Sequence, residues 1–492
     1  MFAEKETTTI PAAESIKTRP WAAGLSNGVN MDFINREKEL AFLEEKWEEK
    51  RPQFIVLWGK RRVGKTELVK RFIKDKPHIY FLSESTHEFE QLKRISHVIG
   101  QFFKEPLLET RGFRGWEESF KYLKDKNQRL ILAIDEFPYL IYSNPAIPSL
   151  FQKAWDEYWS KSNIYLILLG SSMAMMETEV LGYRSPLYGR RTGQWRIDPM
   201  GFESVGEFRK GKGVEDKLLH FSVAGGVPAY WLQFPPEKDF IKNLRGHVLK
   251  KGQMLYEEVE FILREELREP RYYFSLLQAI AQGKQKLSEI VNATGISQPV
   301  ANKYLSVLSD LKIVMREVPL TEEKPLKSKK GLYRIVDEFF RFWFKFVFPN
   351  RADIELDRID HVLDSIQKEL PQYIASVYEK VAAETLWKFR DRLFPFTSVG
   401  RWWDRNVEID IVAINREANE ILFGEVKWTE KPVGTNILDE LISKAHRVQW
   451  GKKGRKEFFC LFSRSGFTPQ VIKKAKDKDI FLFRGIQLLQ VD

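Results

Sequence analysis

Residues 54–66, FIVLWGKRRVGKT, decide the fold of this 492-residue chain. Five apolar residues run into Gly59-Lys60-Arg61-Arg62-Val63-Gly64-Lys65-Thr66, which satisfies the phosphate-loop pattern G-x-x-x-x-G-K-[ST]. The pattern requires a buried strand, a glycine-bounded turn and a helix opening at Lys65. Its glycines let backbone N–H groups approach phosphate oxygens, and the helix N-terminus adds positive potential. Lys65 is expected to reach the β and γ phosphates, and the Thr66 hydroxyl to ligate Mg²⁺. ATP with Mg²⁺ is the expected ligand pair.

Outward from this loop, HIYFLS, LILAID, YLILLGSS and QWRIDPM alternate with helical stretches up to about residue 200. Near-continuous apolar strands between helices indicate a parallel sheet covered on both faces, an α/β class. LILAID ends in Asp135 and Glu136. Asp135 is expected to hold the metal through water and Glu136 to act as general base on the attacking water. The competing reading of these two is a solvated acidic pair.

Domain expectations follow from the same pattern: a flexible leader at 1–30, the ATPase core at 31–200, a helical lid at 201–262, a winged helix at 263–345, a linker at 346–370 and a C-terminal α/β domain at 371–492. Met31 precedes the first periodic element, so translation is expected to start at Met1 or there.

Hydrophobic residues form 43% of the chain and charged residues 30%, with 36 Phe and 14 Trp, enough apolar material for several cores. The single cysteine, Cys460, excludes an internal disulfide and a thiolate zinc cluster. The longest apolar run, 164–176, is interrupted by Gly170 and two serines and is too short to cross a bilayer. With no secretory h-region at the N-terminus, a soluble cytoplasmic protein with no membrane partner is expected. Net charge is +11, which favours polyanionic partners, DNA foremost.

The box FINREKEL at 33–40, the strand ending LLGSS, the segment SPLYGRRTGQW and the later AGGVP resemble archaeal P-loop ATPases of the AAA-related and STAND group. That resemblance implies that Arg36 and Glu37 lie near the adenine. It also implies that Ser171 or Ser172 senses the γ-phosphate and that Gly226 to Pro228 belongs to the lid. Arg190 or Arg191 would be an arginine finger, acting across a homo-oligomer; the alternative for both is a surface salt bridge.

RYYFSLLQAIAQG, KLSEIVNATG and SQPVANKYLSVLSDLKIV read as three short helices, and a basic turn-rich segment follows. This order matches a winged helix, with Ser297 as cap and Pro299 in the first turn of the third helix. Helical spacing assigns Val300, Tyr304, Val307, Leu308 and Leu311 to the core, and Gln298, Asn302, Lys303 and Ser306 to a DNA groove. Lys324, Lys327, Lys329 and Lys330 on the wing would contact phosphates. The alternative is a winged helix that packs protein.

In NVEIDIVAI, Glu408 and Asp410 share one strand face, and in ILFGEVKW so do Glu425 and Lys427. Asp410 and Glu425 on neighbouring strands would hold Mg²⁺ or Mn²⁺ beside the Lys427 ammonium. D followed by E-x-K resembles the PD-(D/E)XK nuclease superfamily, which implies a further acidic metal ligand, Glu379 or Glu384, and a weaker candidate in Lys444. The leading expectation is an ATP-hydrolysing, DNA-binding protein with a metal-dependent nuclease domain. The alternatives are a STAND-like regulatory ATPase whose C-terminal domains bind protein without cleavage, and an oligomeric motor or loader on nucleic acid.

Overall fold

A computed structural model describes residues 33–267, 269–476 and 480–490. The expected flexible leader and the Met31 start lie outside these residues. The chain divides into two compact units, Met1–Asn35 and Arg36–Asp492, and the elements below belong to the second.

Strands β1 (Gln53–Trp58), β2 (His78–Leu82), β3 (Leu130–Asp135), β4 (Ile164–Gly170) and β5 (Gly193–Arg196) form a parallel sheet in the order β2-β3-β4-β1-β5. Phe54, Val56, Leu132 and Ile134 enter one buried cluster, while Ile55, Leu57, Ile131 and Ala133 enter another. Alternate residues thus feed cores on opposite faces, which is why these strands read as unbroken apolar runs. The phosphate loop follows β1 and opens helix α1 (Lys65–Ile73). Asp135 and Ser171 lie at the carboxyl ends of β3 and β4, so all three converge on one rim of the sheet.

Short helices between residues 202 and 243 lead to helix α2 (Met254–Glu266). Helices α3 (Pro270–Ala281), α4 (Leu287–Thr294) and α5 (Gln298–Asp310) follow. The antiparallel hairpin β6 (Val314–Glu317) and β7 (Leu332–Ile335) completes the order expected for a winged helix. On α5 the buried residues are Ala301, Leu305 and Leu308, whereas Val300 is exposed and Tyr304 and Val307 are half-buried. The apolar face is therefore turned by about one position from the one expected. The small Ala301 lets the backbone approach the core closely, a choice that a search for large side chains overlooks. Ser297 occupies the N-cap with Pro299 in the first turn, but its side chain makes no capping hydrogen bond.

Helix α6 (Glu338–Phe342) leads to the thirty-residue helix α7 (Ile359–Lys388). This corrects the linker expected at 346–370. Ile359, Val362, Leu363 and Ile366 form a buried i, i+3, i+4, i+7 stripe, and Pro371 sits inside the helix rather than at its start. Burial of that stripe outweighs the missing proline N–H.

The C-terminal sheet has the order β13-β12-β11-β10-β9-β8, built from β8 (Ser398–Asp404), β9 (Val407–Asn415), β10 (Glu420–Lys427), β11 (Lys456–Ser463), β12 (Ile480–Arg484) and β13 (Gln487–Leu488). It is mixed: β10, β11 and β12 run parallel, and the remaining pairings are antiparallel. Helices α8 (Thr435–Ala445) and α9 (Pro469–Lys476) cover one face over Val412, Phe423 and Leu461. The other face, with Ile411, Leu422 and the buried Cys460, joins a core continuous with α7 and the helices before it. No described helix is long and apolar enough to cross a membrane.

Candidate nucleotide and carboxylate sites

At the phosphate loop, a side chain at Gly59 would put its Cβ 2.2 Å from the Ile197 carbonyl, and Gly64 has φ +95° at the N-cap of α1. Contact excludes any side chain at Gly59, and the positive φ of Gly64 favours glycine there. Lys65 is buried, and its ammonium donates to the Gly59 and Lys60 carbonyls at 2.9 Å each. Burial lowers it to about 8, against the opposing pull of Glu136 and Asp135. A desolvated ammonium with only carbonyl partners suits a triphosphate. Thr66 Oγ1 and Tyr80 OH each donate to Asp135 Oδ2 at 2.6 Å. Together the hydroxyl and the carboxylate form a hard oxygen set fit for Mg²⁺. Glu136 accepts from Ser171 Oγ at 2.7 Å on both oxygens and from Ser171 N at 3.2 Å.

Arg36 is buried and donates to the Val63 carbonyl at 3.0 Å and the Asp198 carbonyl at 2.7 Å, so it braces the loop. Glu37 is exposed in the first turn of the following helix. Ser172 turns to Glu266 at 3.3 Å, which leaves Ser171 as the serine beside Glu136. Met200 N donates to the Gly226 carbonyl, and Pro228 opens a short helix; Val227 lines a cavity with Lys60, Arg61 and Ser171. Arg190 is held bidentately by Asp156 at 3.0–3.2 Å, and Arg191 donates to the Leu181 carbonyl.

The loop's remaining side chains meet a wall of acid that the sequence reading missed. Arg62 pairs with Glu258 at 2.6 Å, Arg61 with Glu265 at 2.9 Å and Lys60 with Asp337 at 3.4 Å. Glu258 and Glu265 lie on α2, and burial raises both Glu258 and Glu266 to about 7. The only signal was the acidic composition of α2, which does not reveal its partners.

In the C-terminal sheet, β9 and β10 pair antiparallel as far as Gly424 opposite Ile411, which sets Asp410 beside Glu425. Ligand atoms of Glu379, Glu408 and Asp410 lie within 4.8 Å of one another, Glu379 coming from α7. Asp410 accepts from Val426 N at 2.9 Å. Burial, then the charges of Glu379 and Glu425, raise its carboxyl to about 7. Three converging carboxylates that resist shared ionisation fit a divalent cation. Glu425 faces the same cleft but is held by Lys427 at 2.7 Å and Lys444 at 3.2 Å. The third member of the cluster is thus Glu408, whose signal was its place on the Asp410 face of β9. Glu384 is elsewhere, accepting from Phe202 N at 3.3 Å. Arg401 on β8 binds Glu408 and lies 3.7 Å from Glu379.

Residues 33–234 match an ATPase domain predominantly from Archaea, and residues 343–440 match a family described as archaeal and bacterial proteins of unknown function. The uncharacterized protein MJECL04 of Methanocaldococcus jannaschii is 38% identical over 424 residues, covering 85% of this chain and 91% of that one. This chain belongs to that family of archaeal ATPases. The ATPase is also similar to the solved Walker-type ATPase PABY2304 of Pyrococcus abyssi, at 22% identity and TM-score 0.48 over 64% of this chain and 96% of that one. The ORC2 protein of Aeropyrum pernix is similar at 13% identity and TM-score 0.43, over 70% and 97% of the two chains. The second family match runs unbroken from 343 through α7 into β9, β10 and α8 of the ATPase.

Proposed function

We propose that this ATPase hydrolyses ATP at the loop around Lys65 and carries a metal-dependent nuclease site, acting on DNA, in its C-terminal sheet. The observation that carries the second half is the convergence of Glu379, Glu408 and Asp410, with the Lys427–Glu425 pair lining the same side of the sheet.

At the first site Lys65 holds the β and γ phosphates, and Thr66 with Asp135 would hold Mg²⁺. Glu136 polarises the attacking water and Ser171 fixes its carboxylate. Arg190 or Arg191 would act as an arginine finger only across a homo-oligomer; within one chain they bind Asp156 and the Leu181 carbonyl. At the second site Glu379, Glu408 and Asp410 would hold Mg²⁺ or Mn²⁺, which supplies Lewis acidity at a phosphodiester. Lys427 orients the nucleophile, and Glu425 keeps that ammonium in place.

The wing favours a second reading. Leu320 N donates to the Arg401 carbonyl on β8 at 2.9 Å, and Lys330 pairs with Asp404 at 3.3 Å. A wing engaged with the C-terminal sheet suits a spacer inside a regulatory ATPase that binds protein without cutting. Incubation with plasmid and linear DNA, with and without ATP and Mn²⁺, separates the two. Nicking that requires the metal supports the nuclease; intact DNA under every condition supports the regulator.

A further inference from the structure

Between the wing and the C-terminal sheet runs a groove of about 1240 Å³ whose lining includes Lys324, Arg416, Arg447, Lys452 and Lys453. None of these five side chains is in an ion pair among the described residues. Two of the acidic lining groups, Glu322 and Asp404, are engaged by Lys330 at 3.2 and 3.3 Å. The groove therefore carries an uncompensated positive charge with few anions of its own to answer it.

The segment that bears most of this charge is rigidly built. Arg455 donates to the carbonyls of Ala445, Val448 and Trp450 at 2.6–3.1 Å and pairs with Glu457 at 2.7 Å. Asn419 Oδ1 accepts from Lys452 N at 2.8 Å. The bends at Gly451 and Gly454 have φ +78° and +80°, which glycine adopts without strain. Arg455 is thus spent on shape, while Arg447, Lys452 and Lys453 are left for a ligand. Half-buried Trp450 lines the groove beside them, the kind of surface on which an unpaired base stacks.

Arg447 lines both this groove and the cleft that holds Glu379, Glu408 and Asp410. We infer that the groove is the track for a phosphodiester strand, and that the 446–455 loop, rather than the outer face of α5, delivers nucleic acid to the carboxylates. The inference rests on the nuclease reading only for the destination of the strand. Phosphates meet arginine and lysine along the groove, where contacts set register rather than sequence.

The test is fluorescence anisotropy of the full chain with labelled single-stranded DNA, duplex DNA and single-stranded RNA in chelator, so that nothing is cut. The triple variant Arg447→Ala/Lys452→Ala/Lys453→Ala should lose affinity on the order of tenfold or more and flatten the log-log salt slope by about 2 for a single strand. The α5 variant Asn302→Ala/Lys303→Ala should bind as the parent does. The single strands should bind more tightly than the duplex, as stacking on Trp450 requires, and a tighter duplex overturns the inference. ATP turnover of the triple variant should match the parent, since none of the three residues lines the cavity at the phosphate loop. Unchanged binding in the triple variant, or loss confined to the α5 variant, overturns the inference. If the parent binds through the loop yet never cuts with Mn²⁺, the groove stands and the nuclease reading falls.

Discussion

Lys65 carries a charge that burial has already separated from water, held only by the carbonyls of its own loop. Lys65→Ala should abolish ATP binding in a calorimetric titration, because among the described residues no other ammonium is placed at those carbonyls. Glu136→Gln should bind ATP with near-parental affinity and turn it over about a hundredfold more slowly or worse, as expected when a general base is removed. Glu266 supplies a pH signature. Burial raises its carboxyl from 4.5 to about 7, against Arg61 and alongside Glu265 and Glu136. A carboxyl raised in the folded state keeps a proton that the unfolded chain has released, so its contribution to stability falls as pH rises from 4.5 through about 7. Glu266→Gln, which can still accept from Ser172, should therefore be more stable than the parent near pH 8 by on the order of 1 kcal/mol. The gain should vanish by about pH 5 in urea titrations across that range. An equal gain at both ends would assign the effect to packing instead.

Helix α2 and the phosphate loop form one electrostatic unit. Glu258 has a side chain only 1% exposed and is answered by Arg62 and by Tyr230 OH at 3.1 Å. Arg62→Ala strands that carboxylate and should cost up to about 3 kcal/mol, the low end for a broken buried pair because Arg62 keeps some exposure. Adding Glu258→Gln should restore most of the loss, which a double-mutant cycle in urea measures directly. This pairing marks where reading the chain by pattern runs out. The loop, with most of its strand and the opening of its helix, is encoded within thirteen consecutive residues, so Gly59, Lys65 and Thr66 were legible at once. Asp410 and Glu425 were legible too, because a strand's period of two fixes which residues share a face. Glu379 was reachable through resemblance alone, since it arrives from α7. The acids on α2 meet Arg61 and Arg62 by folding and leave no local mark. The domain boundary expected at 370–371 falls inside α7, because proline usually opens a helix whereas here a buried stripe carries the helix past Pro371.

The phosphate loop stands on the rim of a parallel sheet, and the carboxylate cluster stands on a mixed one. Asp410→Ala should lose Mn²⁺ binding and DNA nicking together, since the cluster gives up a principal oxygen ligand. Lys427→Ala should keep Mn²⁺ affinity and slow nicking. Both should retain parental ATP turnover, as Lys65, Thr66 and Asp135 are untouched. Parallel measurement of turnover, Mn²⁺ titration and nicking checks all three, and a Lys427→Ala protein that nicks at the parental rate would remove the lysine from the site. Helix α7 gives this arrangement a mechanical character. Its first turn is tied to the helical segment before α2 by Arg245–Asp360, its middle by Tyr373 OH to the Ser222 carbonyl at 3.0 Å, and Glu379 rides on the same rod. At 1.5 Å per residue Glu379 stands about 30 Å from Ile359, so a tilt of about 5° about that end would move its carboxylate by about 2.6 Å. That movement is comparable to the length of a metal–oxygen bond, about 2.0–2.6 Å. The spacing of Glu379 from Glu408 and Asp410 thus depends on how firmly the residues around Arg245 and Ser222 hold the rest of the rod.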